Sequence, residues 1–181
     1  ALAEELQADE TLQGEKKDEI IESLKKVPSL ETSPYTDRMN NGGEGVRDWC
    51  PQYQYFTSAE DRARYKELEA NGSTVWWYGC IGPNNPYPTF QIDDYMISSR
   101  VVSWMQKDYH ITGNLYWETV FWKNFPEEVK SEMFHSNAMK FSGDNGDGYL
   151  LYPGDVYGID GPIGSLRLES IRDGLEEYEI L

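Results

Sequence analysis

Aromatic rings, twice beside a carboxylate, mark three short runs of this sequence: Asp48-Trp49, Trp77-Tyr78 and Tyr116-Trp117-Glu118. The flat face of a Trp or Tyr stacks on the C–H face of a pyranose ring, and the body of the side chain needs no polar partner. Trp117 is the first candidate for such a platform and Tyr78 the second, with Trp77, Tyr116 and Trp49 behind them. The same rings fill a protein core equally well, because each buries a large apolar area. Both readings stay open on sequence alone. Glu118, a carboxylate among rings, can bond sugar hydroxyls or act as an acid with a raised pKa. It can equally pair with Arg100 or Arg47.

Other chemically suggestive groups carry less. The string Asp144-Asn145-Gly146-Asp147-Gly148 invites a calcium reading, but it lacks the alternating ligands and closing Glu of an EF-hand loop. A tight turn whose Asp side chains cap backbone amides explains it better. Cys50 and Cys80 lack the spacing of a zinc site, and two cysteines are too few for a disulfide scaffold. They are expected as free thiols. His110 and His135 have no neighbours in sequence that suggest a triad or a metal. No cofactor and no metal are expected. The adjacent pairs Asp9-Glu10 and Asp18-Glu19 fall in charged helical runs, which are usually solvated faces.

Acidic residues outnumber basic ones 32 to 16, so nucleic acid, itself a polyanion, would be repelled. No apolar stretch approaches the ~20 residues that cross a bilayer, and the start at Ala1 has neither a basic n-region nor an apolar h-region. The elements that must position the three runs can be read from periodicity. Ile20, Ile21, Leu24 and Val27 recur at helical spacing before Pro28, and a loop with a short extended segment at 30–32 follows. Strands are expected over 46–55, 73–81 and 113–122, each rich in aromatic and β-branched residues. Between and after them lie helices over 59–70, 94–109 and 165–181, the second with Met96, Ile97, Val101, Trp104 and Met105 as its apolar stripe. Arg167, Glu169, Arg172, Asp173 and Glu177 should form ion pairs that seat the last helix. Residues 123–149 form a polar excursion. Strand and helix in alternation predict parallel βαβ units, and both doubly wound and barrel arrangements satisfy that pattern.

Specific strings narrow the choice. The segments DWCP (48–51), WWYGCIGPNNPYP (76–88), RVVSWMQKDYHITGNLYWETVFW (100–122), GDGYLLYPG (146–154) and GPIGSLRLESIRDGLEEYEIL (161–181) resemble successive blocks of the glycoside hydrolase family 123 catalytic domain, also described as domain of unknown function 4091. The resemblance implies an α/β fold, the C-terminal part of a (β/α)8 TIM-type barrel spanning residues 46–181, after a helical lead-in and loop over 1–45. It implies a retaining N-acetyl-β-hexosaminidase, of galactosaminidase type, in which the substrate's own acetamido group is the nucleophile. An adjacent Asp-Glu pair on a central strand then orients that group and serves as acid and base, an exception to the usual two-carboxylate scheme. Here that pair is expected upstream of the chain, so the isolated chain is expected to be inactive. The partner implied is a glycan containing N-acetylhexosamine, with secretion or cell-surface display. The alternative is a non-catalytic carbohydrate-binding or structural barrel fragment. Unpaired parallel edges are templates for association, so the chain is expected to be ordered only beside a missing half-barrel or a second copy. If the first two strands are neighbours in the register the family implies, Cys50 and Cys80 lie within the ~4.4 to 6.8 Å Cα separation of a disulfide.

Overall fold

The computed structural model describes residues 29–126 and 144–181, with positions 19, 22, 23, 27, 128, 140 and 141 besides. The helix expected before Pro28, the residues Asp9, Glu10, Asp18 and His135, and most of the excursion after Pro126 lie outside the described residues.

Five short strands run parallel: β1 (Leu30–Glu31), β2 (Asp48–Trp49), β3 (Thr74–Val75), β4 (Trp77–Gly79) and β5 (Asn114–Tyr116). β3 and β4 are one line of chain interrupted at Trp76. Trp76 N–H donates to Trp49 O at 2.8 Å on one side, and Trp77 N–H donates to Gly113 O at 3.1 Å on the other. The line therefore joins β1-β2-β3 to β4-β5 in sequence order. An additional bridge pairs Gln52 with Tyr78. The extended segment expected at 30–32 is thus a strand of the same sheet, although it lies in the lead-in.

Helices connect the strands as crossovers. α1 (Asp37–Asn40) begins where the Thr36 hydroxyl accepts from Met39 N–H. α2 (Ala59–Ala70) is capped by Ser58, whose Oγ accepts from Asp61 N–H at 3.0 Å, and it ends at Asn71-Gly72 with Gly72 at φ 88°. α3 (Ser98–Tyr109) starts four residues later than expected. The Asp94 carboxylate turns back to accept from both N–H and Oγ1 of Thr89, each at 2.7 Å, so this acidic residue closes a loop instead of opening the helix. The strands are also shorter than expected. Pro51 ends the first, and a 3-10 turn follows at Tyr53–Phe56; Glu118 folds over the end of the last. After β5 come two antiparallel pairs, β6 (Lys140–Phe141) with β7 (Asp144–Asn145) and β8 (Leu151–Tyr152) with β9 (Ile163–Gly164). α4 (Leu166–Ile180) closes the chain, with Ser165 Oγ accepting from Leu168 N–H at 3.1 Å.

One face of the sheet carries Trp49, Val75 and Trp77, and the helices cover it. Trp49 and Trp77 are 0% exposed and pack in a core with Tyr53, Phe56, Tyr65, Leu68, Val102 and Ile111. Phe56 stacks on Tyr65 at 4.5 Å between centroids, and Trp77 meets the edges of Tyr53 and Phe56 at 5.5 and 5.8 Å. α3 and α4 pack closely because small residues meet there: a Cβ on Gly174 would lie 2.9 Å from both Arg100 O and Ser103 Oγ. The buried residues of α3 are therefore Ser98, Ser99, Val102, Ser103 and Gln106; of the expected stripe Met96, Ile97 and Trp104 are exposed, while Val101 and Met105 are half-buried, Met105 against the core. On the opposite face of the sheet, Leu30, Trp76 and Leu115 are large, apolar and exposed.

Candidate functional site

In parallel α/β sheets the chemistry collects beyond the C-terminal strand ends, where loops meet with the backbone already fixed behind them. Three such ends converge here. At the end of β2, Gln52 Nε2 donates to Cys80 Sγ at 3.3 Å, tying it to the end of β4, and Gln52 Oε1 accepts from Gln54 at 3.1 Å. β4 and β5 lie in register, Tyr78 beside Leu115 and Gly79 beside Tyr116, so Trp117 and Glu118 stand one step beyond that pair. Cys50 and Cys80 are both free thiols; burial pushes the Cys50 thiol up to about 11.

The aromatic candidates separate by face. Trp117 is 40% exposed and leans on Phe121 with centroids 4.8 Å apart. Tyr78 is half-buried, and burial raises its hydroxyl pKa. Trp49 and Trp77 lie wholly within the core and present no ring face to solvent, because alternation along a strand sends them under the helices while their neighbours point the other way. Tyr116 also turns inward. Its ring meets the face of Phe90 at 5.2 Å, its hydroxyl donates to Asp147 Oδ1 at 3.0 Å, and that hydroxyl accepts from Gly148 N–H at 2.8 Å.

Glu118 does not have the raised pKa of an acid catalyst. Its Oε1 accepts from the backbone N–H of Val120 at 3.1 Å and of Thr119 at 3.0 Å, and Lys123 Nζ lies 3.4 Å from Oε2. Those amide bonds to the ionised form, aided by the ammonium, hold the carboxyl below the usual range. Neither Arg100 nor Arg47 is its partner: Arg100 pairs with Glu177, and Arg47 reaches Gly72 O.

Two residues that frame the mouth depart from the sequence expectation. Arg167, expected in an ion pair that seats the last helix, is 6% exposed and instead donates to the carbonyls of Phe90, Gly146 and Tyr149 and to the Tyr152 hydroxyl. It pins the loop after β4 to the turn at 146–149. Asp147, expected to cap a turn, is 0% exposed and serves a tyrosine 31 residues away. The turn itself is as expected, with Gly146 and Gly148 at φ 76° and 80°. Of the ion pairs expected on α4, Arg172 bonds Glu169 and Asp173 on the exposed side, and Glu177 joins α4 to Arg100 of α3. Among the described residues no group of three or more His, Cys, Asp or Glu side chains is placed to hold a metal, and no helix is long and apolar enough to cross a membrane.

The family described as glycoside hydrolase 123, catalytic domain, matches residues 3–181. The chain belongs to that family. The match thus includes the lead-in before residue 46 as well. Among solved structures, a family 123 glycoside hydrolase from Clostridium perfringens, studied for glycolipid glycan hydrolysis, superposes with a TM-score of 0.54 at 17% identity. The superposition covers 81% of this chain and 23% of that one. At this identity the likeness speaks for the fold, a mixed α/β arrangement with parallel strands. No curated protein sequence matches. The glycoside hydrolase 123 domain described here is thus glycosidase-like, with a partly exposed Trp at a strand end and a carboxylate beside it.

Proposed function

We propose that this glycoside hydrolase 123 domain is the C-terminal part of a (β/α)8 barrel that cleaves β-linked N-acetylhexosamine, of the N-acetylgalactosamine type, from a glycan. In this reading Trp117 is the floor on which the sugar stacks, and Tyr78 flanks it. The catalytic Asp-Glu pair belongs to a strand outside these residues. The acetamido oxygen of the substrate attacks the anomeric carbon as the Glu gives its proton to the leaving oxygen; the Asp holds the acetamide N–H. The Glu then takes a proton from the water that reopens the intermediate with net retention.

The observation that carries the reading is the exposed ring of Trp117 at the C-terminal end of a parallel strand, in a chain of a glycosidase family. Two further features support it. The sheet leaves an apolar face of Leu30, Trp76 and Leu115 uncovered, as the inward face of a barrel would be before the remaining strands close over it. Glu118 is held ionised, which suits a group that accepts hydrogen bonds from sugar hydroxyls and not the proton donor. That same feature favours a second reading, a barrel fragment that binds sugar without cleaving it.

Hydrolysis of an aryl N-acetyl-β-galactosaminide by the isolated chain, by the full-length protein and by its Trp117→Ala variant separates these readings. Turnover is expected from the full-length protein alone, and loss of the ring should cost ~1 to 3 kcal/mol of sugar binding, as for one large apolar side chain. Turnover by the isolated chain would place the catalytic carboxylates within it, Glu118 first. Sugar binding without turnover by the full-length protein would favour the second reading.

A further inference from the structure

We propose that Tyr116, Asp147 and Gly148 form a seat that fixes the plane of the Trp117 ring, which makes Asp147 and Tyr116 positioning residues for the sugar. The inference rests on the reading of Trp117 as the sugar floor and adds what holds that floor still. Successive residues of a strand point to opposite faces, so Tyr116 reaches inward where Trp117 reaches out. The two side chains nevertheless converge on one turn. The Tyr116 hydroxyl accepts from Gly148 N–H at 2.8 Å and donates to Asp147 Oδ1 at 3.0 Å, while a Cβ on Gly148 would lie 3.0 Å from Trp117 Cζ3 and 2.9 Å from Phe121 Cβ. The ring thus rests against bare backbone at a residue whose φ of 80° also favours glycine.

The turn is fixed from several directions. Phe121 N–H donates to Gly148 O at 3.0 Å and Leu150 N–H to Thr119 O at 3.1 Å, which ties the turn to the chain on the far side of Trp117. Arg167 holds the carbonyls of Gly146 and Tyr149 from beneath. Asp147, fully buried, accepts from the Tyr116 hydroxyl and so holds it where it can also accept from Gly148 N–H. A stacking platform discriminates between sugars only if its plane is set before the sugar arrives, because a ring free to tilt pays its ordering cost on binding. The seat supplies that preorganisation without itself touching the ligand.

The test uses the full-length protein labelled with 5-fluorotryptophan, the Trp117 resonance being assigned by its loss in Trp117→Phe. Tyr116→Phe keeps the ring of the tyrosine and removes both hydroxyl contacts; Gly148→Ala pushes on the indole directly. Both variants should shift or broaden the Trp117 line while the lines of the core residues Trp49 and Trp77 stay in place. Titration with N-acetylgalactosamine should show affinity reduced about 5-fold or more in Tyr116→Phe, the equivalent of one net hydrogen bond. An unmoved Trp117 line in both variants overturns the proposal, and so does a shift of all the tryptophan lines together, which would mean a general loosening. Should Gly148→Ala not fold, Tyr116→Phe decides alone. If Trp117→Ala binds the sugar as well as the unmodified protein does, the reading of the floor fails, while the Trp117 line still reports whether the seat exists.

Discussion

Truncating Trp77 and Trp117 separately should separate a ring of the core from a ring of the mouth. Trp77 is 0% exposed and touches Tyr53, Phe56 and Tyr109 with centroids 5.5, 5.8 and 5.9 Å away. A buried indole removes roughly 200 Å² from water, which at about 25 cal/mol per Å² is on the order of 5 kcal/mol as an upper bound. Measured truncations of buried Phe and Trp cost about 3 to 5 kcal/mol, so Trp77→Ala should lose about that much and leave the protein near or beyond its stability limit. Trp117 is 40% exposed, leans on Phe121 and lies against the backbone of Gly148. Its truncation should cost less, about 1 kcal/mol of stability, the level of a partly exposed aromatic contact. Urea unfolding of the full-length protein, followed by circular dichroism, measures both. Equal losses in the two variants would refute the division into core and mouth, and Trp117 would then be a packing residue like Trp77.

Glu177, bonded by Arg100 and by Trp104 Nε1, has its carboxyl drawn down to about 2. A group whose pKa is depressed on folding stabilises at pH above its unfolded value near 4.5 and loses that contribution as pH falls towards 2. Thermal melts should therefore show Glu177→Gln below the unmodified protein at pH 7, with the gap closing between about pH 5 and 2; a gap constant with pH would contradict the pairing. Arg167→Met should destabilise by roughly 3 kcal/mol or more, because three buried carbonyls lose their donor, and Arg167→Lys should not restore it, since an ammonium cannot match the planar fork; full recovery with Lys in urea unfolding would show that charge alone suffices. Cys80 should react with a thiol-specific disulfide reagent well before Cys50, which is buried and has its pKa raised to about 11; labelling of both at one rate would place Cys50 at the surface.

How much of the fold can be read from sequence depends on how local each signal is. α2 runs over Ala59–Ala70, as its Ser58 cap and its Asn71-Gly72 stop require, because both ends are determined within a few residues. The three long strands are in the right places, parallel and adjacent, yet each is cut short by a local device: Pro51 in the first, the interruption at Trp76 in the second, Glu118 in the third. The buried face of α3 departs in part from the expected stripe for a different reason. Hydrophobic periodicity assumes that the apolar side packs inward, but α3 meets α4 where the Arg100 backbone and Ser103 approach Gly174, and there close backbone approach matters more than side-chain area.

The same distinction separates the aromatic residues at the strand ends from the groups that hold them. That rings gather at these ends is visible in the sequence, and alternation along each strand then divides Trp49 and Trp77 from Trp76 and Trp117 once one inward residue is known. What alternation cannot supply is the partner of a polar side chain. Arg167 bonds Phe90 O across 77 residues, and Tyr116 reaches Asp147 across 31. Each looks ordinary in its local context, Arg167 in a charged helix and Asp147 in a glycine-rich turn, since their meaning depends on a carbonyl or hydroxyl that only the folded chain brings near. One local feature does point to them. Two glycines flank Asp147, and besides suiting a tight turn at positive φ they let other parts of the fold come close to its backbone, as Ile92 and Phe121 do here. The polar groups that set the shape of the mouth are therefore the ones least legible in advance, because their interactions are non-local and a buried polar group is stable only when such a partner exists.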